Sequence, residues 1–221
     1  MPLIESDYKP PWYWDNQHLQ TIVPNRLRRV QYSPYVIEPI ALNDEVIDVY
    51  WSRVGSDTAI IVAHGLGGHV HRPYVRGMIR TLNRAGVDAC AGHVWNTDRD
   101  ESPHIRHGGW TEGLRNLVAR LSDRYARIGL VGFSLGGNVV LKYLGEERET
   151  CGVVGAVAIS VPCDLENACY RISEPVNRVY LNSFLKSLKR NIRRKAAVIP
   201  DRVSVDGLDR IRNLIDFDNR Y

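Results

Sequence analysis

The segment around Ser134 constrains the fold most, because it joins an apolar run, a tight turn and a helical pattern. The run IGLVGF leads into GFSLG, which has the form Gly-x-Ser-x-Gly, and a helical pattern follows. This strand–turn–helix pattern is typical of a nucleophile elbow, whose tight turn needs small residues beside the serine. Gly132 and Gly136 meet that need. Ser134 is therefore the candidate catalytic nucleophile, with a structural serine in a tight turn as the alternative.

Strand and helix patterns alternate through the first part of the chain. Predicted strands form a hairpin at residues 36–54, turning at Asn43-Asp44, and lie at residues 58–64, 87–95, 128–133 and 152–161. Predicted helices lie at residues 72–86, at 111–126 and after Ser134. Gly86 and Thr111 are placed to cap the first two of these helices. The alternation predicts an α/β fold, with a mostly parallel sheet and flanking helices.

The character of the chain changes after residue 163, where the strand patterns stop. Residues 164–221 have mostly helical patterns, which predicts a helical cap on an α/β core of residues 1–163. The basic run KRNIRRK, residues 189–195, is typical of the solvated face of a helix, with weak association with an anionic membrane surface as the alternative. A predicted amphipathic helix over residues 177–195 has an apolar face of Val179, Phe184, Leu185, Leu188 and Ile192.

A second glycine-rich loop, AHGLGGHV, follows a predicted buried strand. Gly65 and Gly67 would let the backbone approach a ligand closely. An elbow of this type takes one oxyanion donor from the residue after the serine and one from an earlier loop. The backbone N–H groups of Leu66 and Leu135 are therefore the candidate oxyanion-hole donors, and His64 is expected to pack beneath the loop. The alternative, a dinucleotide-binding loop, lacks the Gly-x-Gly-x-x-Gly spacing.

Composition and charge argue against several function classes. A net charge of +4 over 221 residues is too small to predict a nucleic-acid-binding surface. The four cysteines have no Cys-x-x-Cys spacing and the histidines match no zinc pattern, so neither a metal nor a cofactor is predicted. The sequence shows no signal-peptide pattern and no apolar run that could cross a bilayer. A cytoplasmic protein with reduced thiols is expected.

Five blocks of the sequence together resemble the YheT-like branch of the α/β-hydrolase superfamily: PPWYWDNQHLQTI, AHGLGG, RPYVRGMIRTLNRAG, GFSLGGNVVLKYLGEE and SVPCDLENA. This branch includes bacterial YheT hydrolases, plant embryogenesis-associated proteins and animal abhydrolase-domain lipases. The resemblance implies an α/β-hydrolase fold and hydrolysis of carboxylic esters, with short acyl or lipid esters as substrates. It places Ser134 at the family's nucleophile. The stretch HIRHGGWTEGL places His107 at a family histidine outside the catalytic triad.

The resemblance also implies catalytic groups that have no matching position here. The triad of this fold follows the order Ser, Asp, His along the chain, and family members carry the last two after the cap. No histidine follows Ser134 in these 221 residues. The chain is therefore expected to lack the last strands and helices of the fold and to be impaired in catalysis. A histidine before the serine, His104 or His107, is the alternative base. The alternative function is non-catalytic binding of an acyl ligand or a partner.

Overall fold

The computed structural model describes residues 3–31, 35–42, 45–92, 108–150 and 152–221. Two sequence predictions lie outside the described residues. The first is the hairpin turn at Asn43-Asp44, and the second is the alternative base, His104 or His107.

A six-stranded sheet forms the centre of the fold. Its strands are β1 (Val36–Leu42), β2 (Glu45–Ser52), β3 (Thr58–Ala63), β4 (Asp88–Gly92), β5 (Arg127–Phe133) and β6 (Gly155–Ile159). They lie in the order β1-β2-β4-β3-β5-β6. The β1–β2 hairpin and the β2–β4 pair are antiparallel, and the other three pairs are parallel. The predicted hairpin and the mostly parallel α/β sheet are confirmed.

Helices flank the sheet and follow it. They are α1 (Gln17–Leu27), α2 (Pro73–Arg84), α3 (Glu112–Ser122), α4 (Leu135–Glu147), α5 (Leu165–Ser173), α6 (Arg178–Val198) and α7 (Leu214–Asp218). Gly86 follows α2 with φ +76°, a left-handed conformation that suits a glycine after a helix. Within the described ranges, no helix has the length and apolar character needed to cross a bilayer.

Thr111 lies at the predicted N-cap position of α3, but its side chain makes no capping hydrogen bond. Thr111 precedes α3 with φ −106° and ψ −12°, which is a helical conformation, whereas a capping residue normally has an extended backbone. Its hydroxyl instead donates to Glu146 Oε2 on α4, at 2.5 Å. Thr111 therefore joins α3 to α4 rather than satisfying the first N–H groups of its own helix.

The two faces of the sheet pack against different helices. Successive residues of a strand face opposite sides, so Ile61 and Leu130 pack with Leu117 of α3 on one face. Their neighbours on the strands, including Val62, pack with Val75 of α2 on the other face. Because the central parallel strands are covered on both faces, their sequences are continuously apolar.

Asp88, at the start of β4, fixes the turn between β2 and β3. Its buried carboxylate accepts hydrogen bonds at Oδ1 from the backbone N–H groups of Val54 (2.6 Å), Gly55 (3.0 Å) and Ser56 (3.2 Å). Oδ2 accepts from the Tyr125 hydroxyl at 2.9 Å. Burial alone would raise the pKa of Asp88, but these hydrogen bonds to the ionised form outweigh burial and hold the pKa below its ordinary value.

Asp88→Ala is expected to lower the free energy of unfolding by about 3 kcal/mol at neutral pH, because several donors lose a charged acceptor. The folded pKa of Asp88 lies below its unfolded value of about 3.9. The stability that Asp88 contributes is therefore complete above that pH and is lost as the pH falls through the folded pKa. Urea unfolding of both proteins at neutral and acidic pH measures this difference.

Asp57→Ala is the matched control for Asp88→Ala, because Asp57 lies on the same turn and its carboxylate is exposed. Its unfolding midpoint should stay close to that of the unchanged protein. Equal losses for the two variants at neutral pH would contradict the role assigned to Asp88.

Residues 164–221, which we call the cap region, have an apolar cluster of their own. Leu181, Leu185 and Ile192 of α6 pack there with Phe217 of α7. Val179 is 62% exposed, so its predicted place on the buried face of α6 is wrong. Residues two apart on a helix point in nearly opposite directions, and the buried face passes through Leu181. The division of the chain at residue 163 remains a prediction.

The basic run at residues 189–195 is only partly a solvated face. Lys189 Nζ donates to Ile211 O at 2.8 Å, and Arg193 pairs with Asp209 at 2.5 Å. Lys195 is only 5% exposed, so the predicted solvated position is wrong for this residue. Lys189 and Arg193 therefore connect α6 to the segment before α7. Lys195 is buried because it lies on the same side of the helix as the apolar stripe.

Candidate active site

Ser134 lies at the turn between β5 and α4, in an unusual backbone conformation. Its φ is +51° and its ψ is −122°, a region that residues with a side chain rarely adopt. The Ser134 N–H donates to Ile159 O of β6 at 2.8 Å, which holds the turn against the neighbouring strand. Strain of this kind persists only where the surroundings enforce it, and it is concentrated at functional sites.

The glycines beside Ser134 are required by close backbone contacts. A Cβ atom on Gly132 would lie 2.5 Å from Gly137 Cα. A Cβ atom on Gly136 would lie 2.5 Å from the carbonyl oxygens of Ala63 and His64. Gly132 must therefore be small because the turn folds back on itself, and Gly136 must be small because the turn packs on the end of β3.

The loop after β3 touches the nucleophile turn. A Cβ atom on Gly65 would lie 3.0 Å from Ser134 Cβ and 3.6 Å from Ser134 Oγ. Gly67, at φ +62°, lies equally close to the cap region, because its Cβ would be 3.2 Å from Ser187 Oγ. Leu66, between these two glycines, lines the same cavity as Ser134 and Leu135. The two residues predicted to supply oxyanion donors thus line the cavity together with the serine.

The side chains of His64 and Tyr74 support this loop. His64 is buried, and its Nδ1 lies 2.9 Å from Gly65 O, so the imidazole lies beneath the loop. The Tyr74 hydroxyl accepts a hydrogen bond from the Gly65 N–H at 3.2 Å, and its ring contacts Phe133 of β5. Burial raises the pKa of Tyr74, which keeps its hydroxyl protonated. The sequence did not single out Tyr74.

A cavity of about 460 Å³ opens beside Ser134, a volume usual for a small-molecule site. It is lined by the nucleophile turn, the segment after β6, the loop after β3, Gly108, and the helices α5, α6 and α7. Most of its lining is apolar: Leu66, Leu135, Val161, Pro162, Leu165, Ala168, Ile172, Phe184, Leu188, Ile192, Leu214 and Phe217. Such a lining suits a hydrocarbon chain better than a polar metabolite.

A few polar residues line the same cavity. Ser160, after β6, has φ +53° and is the second strained serine beside the site. Asn191, Lys195 and Asp218 come from the cap region. Cys169 of α5 also lines the cavity, and burial, followed by the nearby carboxylates, raises the pKa of its thiol, which disfavours a thiolate nucleophile. The sequence patterns marked none of these residues for the site.

No histidine lines the cavity among the described residues. His18 Nδ1 lies 2.9 Å from the Tyr180 hydroxyl, linking α1 to α6. His69 and His71 are exposed, and the His71 ring packs on tyrosine rings beside the loop. His107, predicted to support the pocket, lies outside the described residues.

Leu66 connects the two parts of the structure. Its side chain packs against the sheet cluster that contains Leu135 and Val139, and also against the cap cluster that contains Leu181 and Leu185. The loop that carries a candidate oxyanion donor is therefore in contact with the core and the cap region together.

Known proteins with similar sequences include esterases and lipases. The chain is 28% identical to the putative esterase YheT of Escherichia coli, over 97% of this chain and 66% of that protein. It is 31% identical to the monoacylglycerol lipase of Saccharomyces cerevisiae, over 76% of this chain and 40% of that protein. The chain thus spans less than two thirds of the length of these relatives. No family model matches the chain.

Solved structures with a similar fold include the Pyrococcus furiosus esterase Pf2001. It has a TM-score of 0.56 and 23% sequence identity, over 70% of this chain and 66% of that one. The predicted α/β-hydrolase fold is confirmed, and the homologues support the predicted resemblance to the YheT-like branch.

Proposed function

We propose that this α/β-hydrolase-fold chain, whose homologues include esterases and a monoacylglycerol lipase, acts on carboxylic esters through Ser134. The observation that carries the proposal is the strained turn at Ser134 beside an apolar cavity. A serine in this position can attack a bound ester, while the apolar walls hold the acyl chain. Short acyl esters or lipid esters, as in monoacylglycerols, are the proposed substrates.

The proposed reaction is acyl transfer to serine and then to water. Ser134 Oγ attacks the ester carbonyl carbon as its proton passes to a base, and the carbonyl oxygen becomes an oxyanion. The N–H groups of Leu66 and Leu135 are the proposed donors to that oxyanion. Collapse expels the alcohol, which takes the proton, and water then releases the carboxylic acid by the same steps.

The described cavity residues include no histidine to act as the base for this reaction. No described histidine lines the cavity, and the sequence has no histidine between Ser134 and residue 221. We therefore expect these 221 residues alone to turn over esters slowly. The same observation favours the second candidate function, binding of an acyl ligand without turnover.

A fluorophosphonate probe tests the role of Ser134. An active site that lacks one triad member still retains about 10³- to 10⁴-fold catalysis over water from binding and the oxyanion-hole donors. The same donors would stabilise attack of Ser134 on the probe. Ser134 should therefore be modified before any other serine even where the base is missing. Long incubation followed by peptide mass spectrometry should locate the adduct on Ser134 and detect none in Ser134→Ala. Ser183→Ala, which changes an exposed serine of α6, should react as the unchanged chain does.

Two results would separate the candidate functions. Modification of Ser134 ahead of other serines supports the hydrolase. Modification spread evenly over exposed serines in a folded sample would refute it and leave acyl-ligand binding as the remaining function.

A further inference from the structure

The cavity beside Ser134 changes in chemical character along its length. Near the serine its walls are Leu66, Leu135 and Leu165, which pack against the sheet cluster. Cys169 and Ile172 of α5, which also line the cavity, pack against the cap cluster. The polar lining residues Asn191, Lys195 and Asp218 all belong to the cap region.

Helix α6 gives a scale for this length. The loop after β3 meets α6 at Ser187, where a Cβ on Gly67 would touch the serine hydroxyl. Along the same helix, Asn191 and Lys195 line the cavity one and two turns further on. Lys195 thus lies about 12 Å along the helix axis from the contact with the loop after β3, at 1.5 Å of rise per residue. An extended hydrocarbon chain covers that distance in about ten bonds, taking the spacing of an extended backbone.

Lys195 and Asp218 bring formal charges to this far end. Lys195 is only 5% exposed. Asp218 is close enough to Cys169 of α5 for its charge to act on that thiol. A buried charged group loses free energy when an apolar group displaces its polar contacts. The terminal methyl group of an acyl chain would therefore be stabilised by the cavity wall as far as Asn191 and destabilised beyond it.

We propose that Asn191, Lys195 and Asp218 form a polar stop, which limits the acyl chain held beside Ser134 to about ten carbons. The proposal rests on the proposed function, in that Ser134 marks the ester end of the cavity. The three residues determine specificity and take no part in the chemical step. A chain of the limiting length whose far end carries a hydroxyl fits better than the same chain with a methyl end.

Equilibrium binding of fatty acids to the Ser134→Ala chain tests the stop without any turnover. Displacement of a fluorescent fatty acid should give affinities for butyrate, hexanoate, octanoate, decanoate, dodecanoate and hexadecanoate. We expect a rise of about fourfold for each added methylene as far as decanoate, and no further rise for the longer acids. 10-Hydroxydecanoate should bind more tightly than undecanoate, which has the same chain length with a methyl end.

Lys195→Met, added to Ser134→Ala, replaces the ammonium with an apolar side chain of similar length. It should raise the affinity for dodecanoate by about tenfold and remove the preference for 10-hydroxydecanoate. Lys186→Met, at an exposed position on the same helix, should leave the length profile unchanged. Circular dichroism and thermal unfolding show whether each variant is folded. If Lys195→Met does not fold, Asn191→Leu tests the same end of the cavity.

A steady rise in affinity through hexadecanoate in the Ser134→Ala chain would overturn the polar stop. So would a folded Lys195→Met or Asn191→Leu variant with an unchanged length profile. Affinity that stops rising at decanoate, without fluorophosphonate modification of Ser134, would keep the stop and refute the hydrolase. Modification of Ser134 without fatty-acid binding would keep the hydrolase and refute the stop.

Discussion

Ester hydrolysis by the 221-residue chain is expected to run about 10⁴- to 10⁶-fold below that of a serine esterase with a complete triad. Ser134→Ala should lower this slow rate by no more than about tenfold. Serine and base act as one unit, so removing the serine costs little once the base is missing. Hydrolysis of p-nitrophenyl butyrate by the unchanged chain, Ser134→Ala and Ser183→Ala measures both effects.

A large drop for Ser134→Ala would contradict this expectation. A loss of more than about a hundredfold would show that a base is already present in the 221 residues. His104→Ala and His107→Ala would then identify it, because these histidines are the alternative bases predicted from the sequence.

Gly136→Ala should lower the free energy of unfolding by about 3 kcal/mol, near the top of the range for an overpacked core. The new methyl group would lie 2.5 Å from two carbonyl oxygens at the end of β3, and backbone atoms have less room to adjust than a side chain. The same shift would move the nucleophile turn away from the loop that carries Leu66. Thermal unfolding should show the loss, and fluorophosphonate modification of Ser134 should slow.

Gly145→Ala is the matched control for this substitution. Gly145 belongs to the same helix, α4, and a Cβ atom there meets nothing within 4 Å. Alanine should therefore stabilise the chain by up to about 1 kcal/mol through helix propensity. A loss of stability in Gly145→Ala equal to that in Gly136→Ala would show that the contacts at the end of β3 are not the cause.

The parts of the fold that the sequence predicts are those with local physical causes. Covering both faces of β3 and β5 requires continuous apolar runs, and the left-handed residue after α2 favours Gly86. The elbow is local only in part: the clash that excludes a side chain at Gly132 comes from Gly136 and Gly137 of the same turn, whereas the clash at Gly136 comes from the end of β3.

The features that the sequence did not predict depend on contacts between distant segments. Tyr74 supports the loop after β3 only because α2 packs on β3 and β4, and no periodic pattern marks such a hydrogen bond. Lys195 belongs to a basic run, yet the rotation of α6 buries it among cap residues. Thr111 had a capping pattern, but its hydroxyl donates a hydrogen bond to Glu146 of a different helix. Tertiary partners decide the roles of these residues.

The double packing of Leu66 has a kinetic consequence if its N–H holds the oxyanion. An acyl chain that fills the cavity presses on the side chain of the residue whose backbone takes part in the chemical step. Contacts far from the scissile bond would then help to fix the donor in the transition state. Shortening the acyl chain would lower kcat as well as raise KM, so the cap region would set the rate of the chemistry and not only the affinity for substrate.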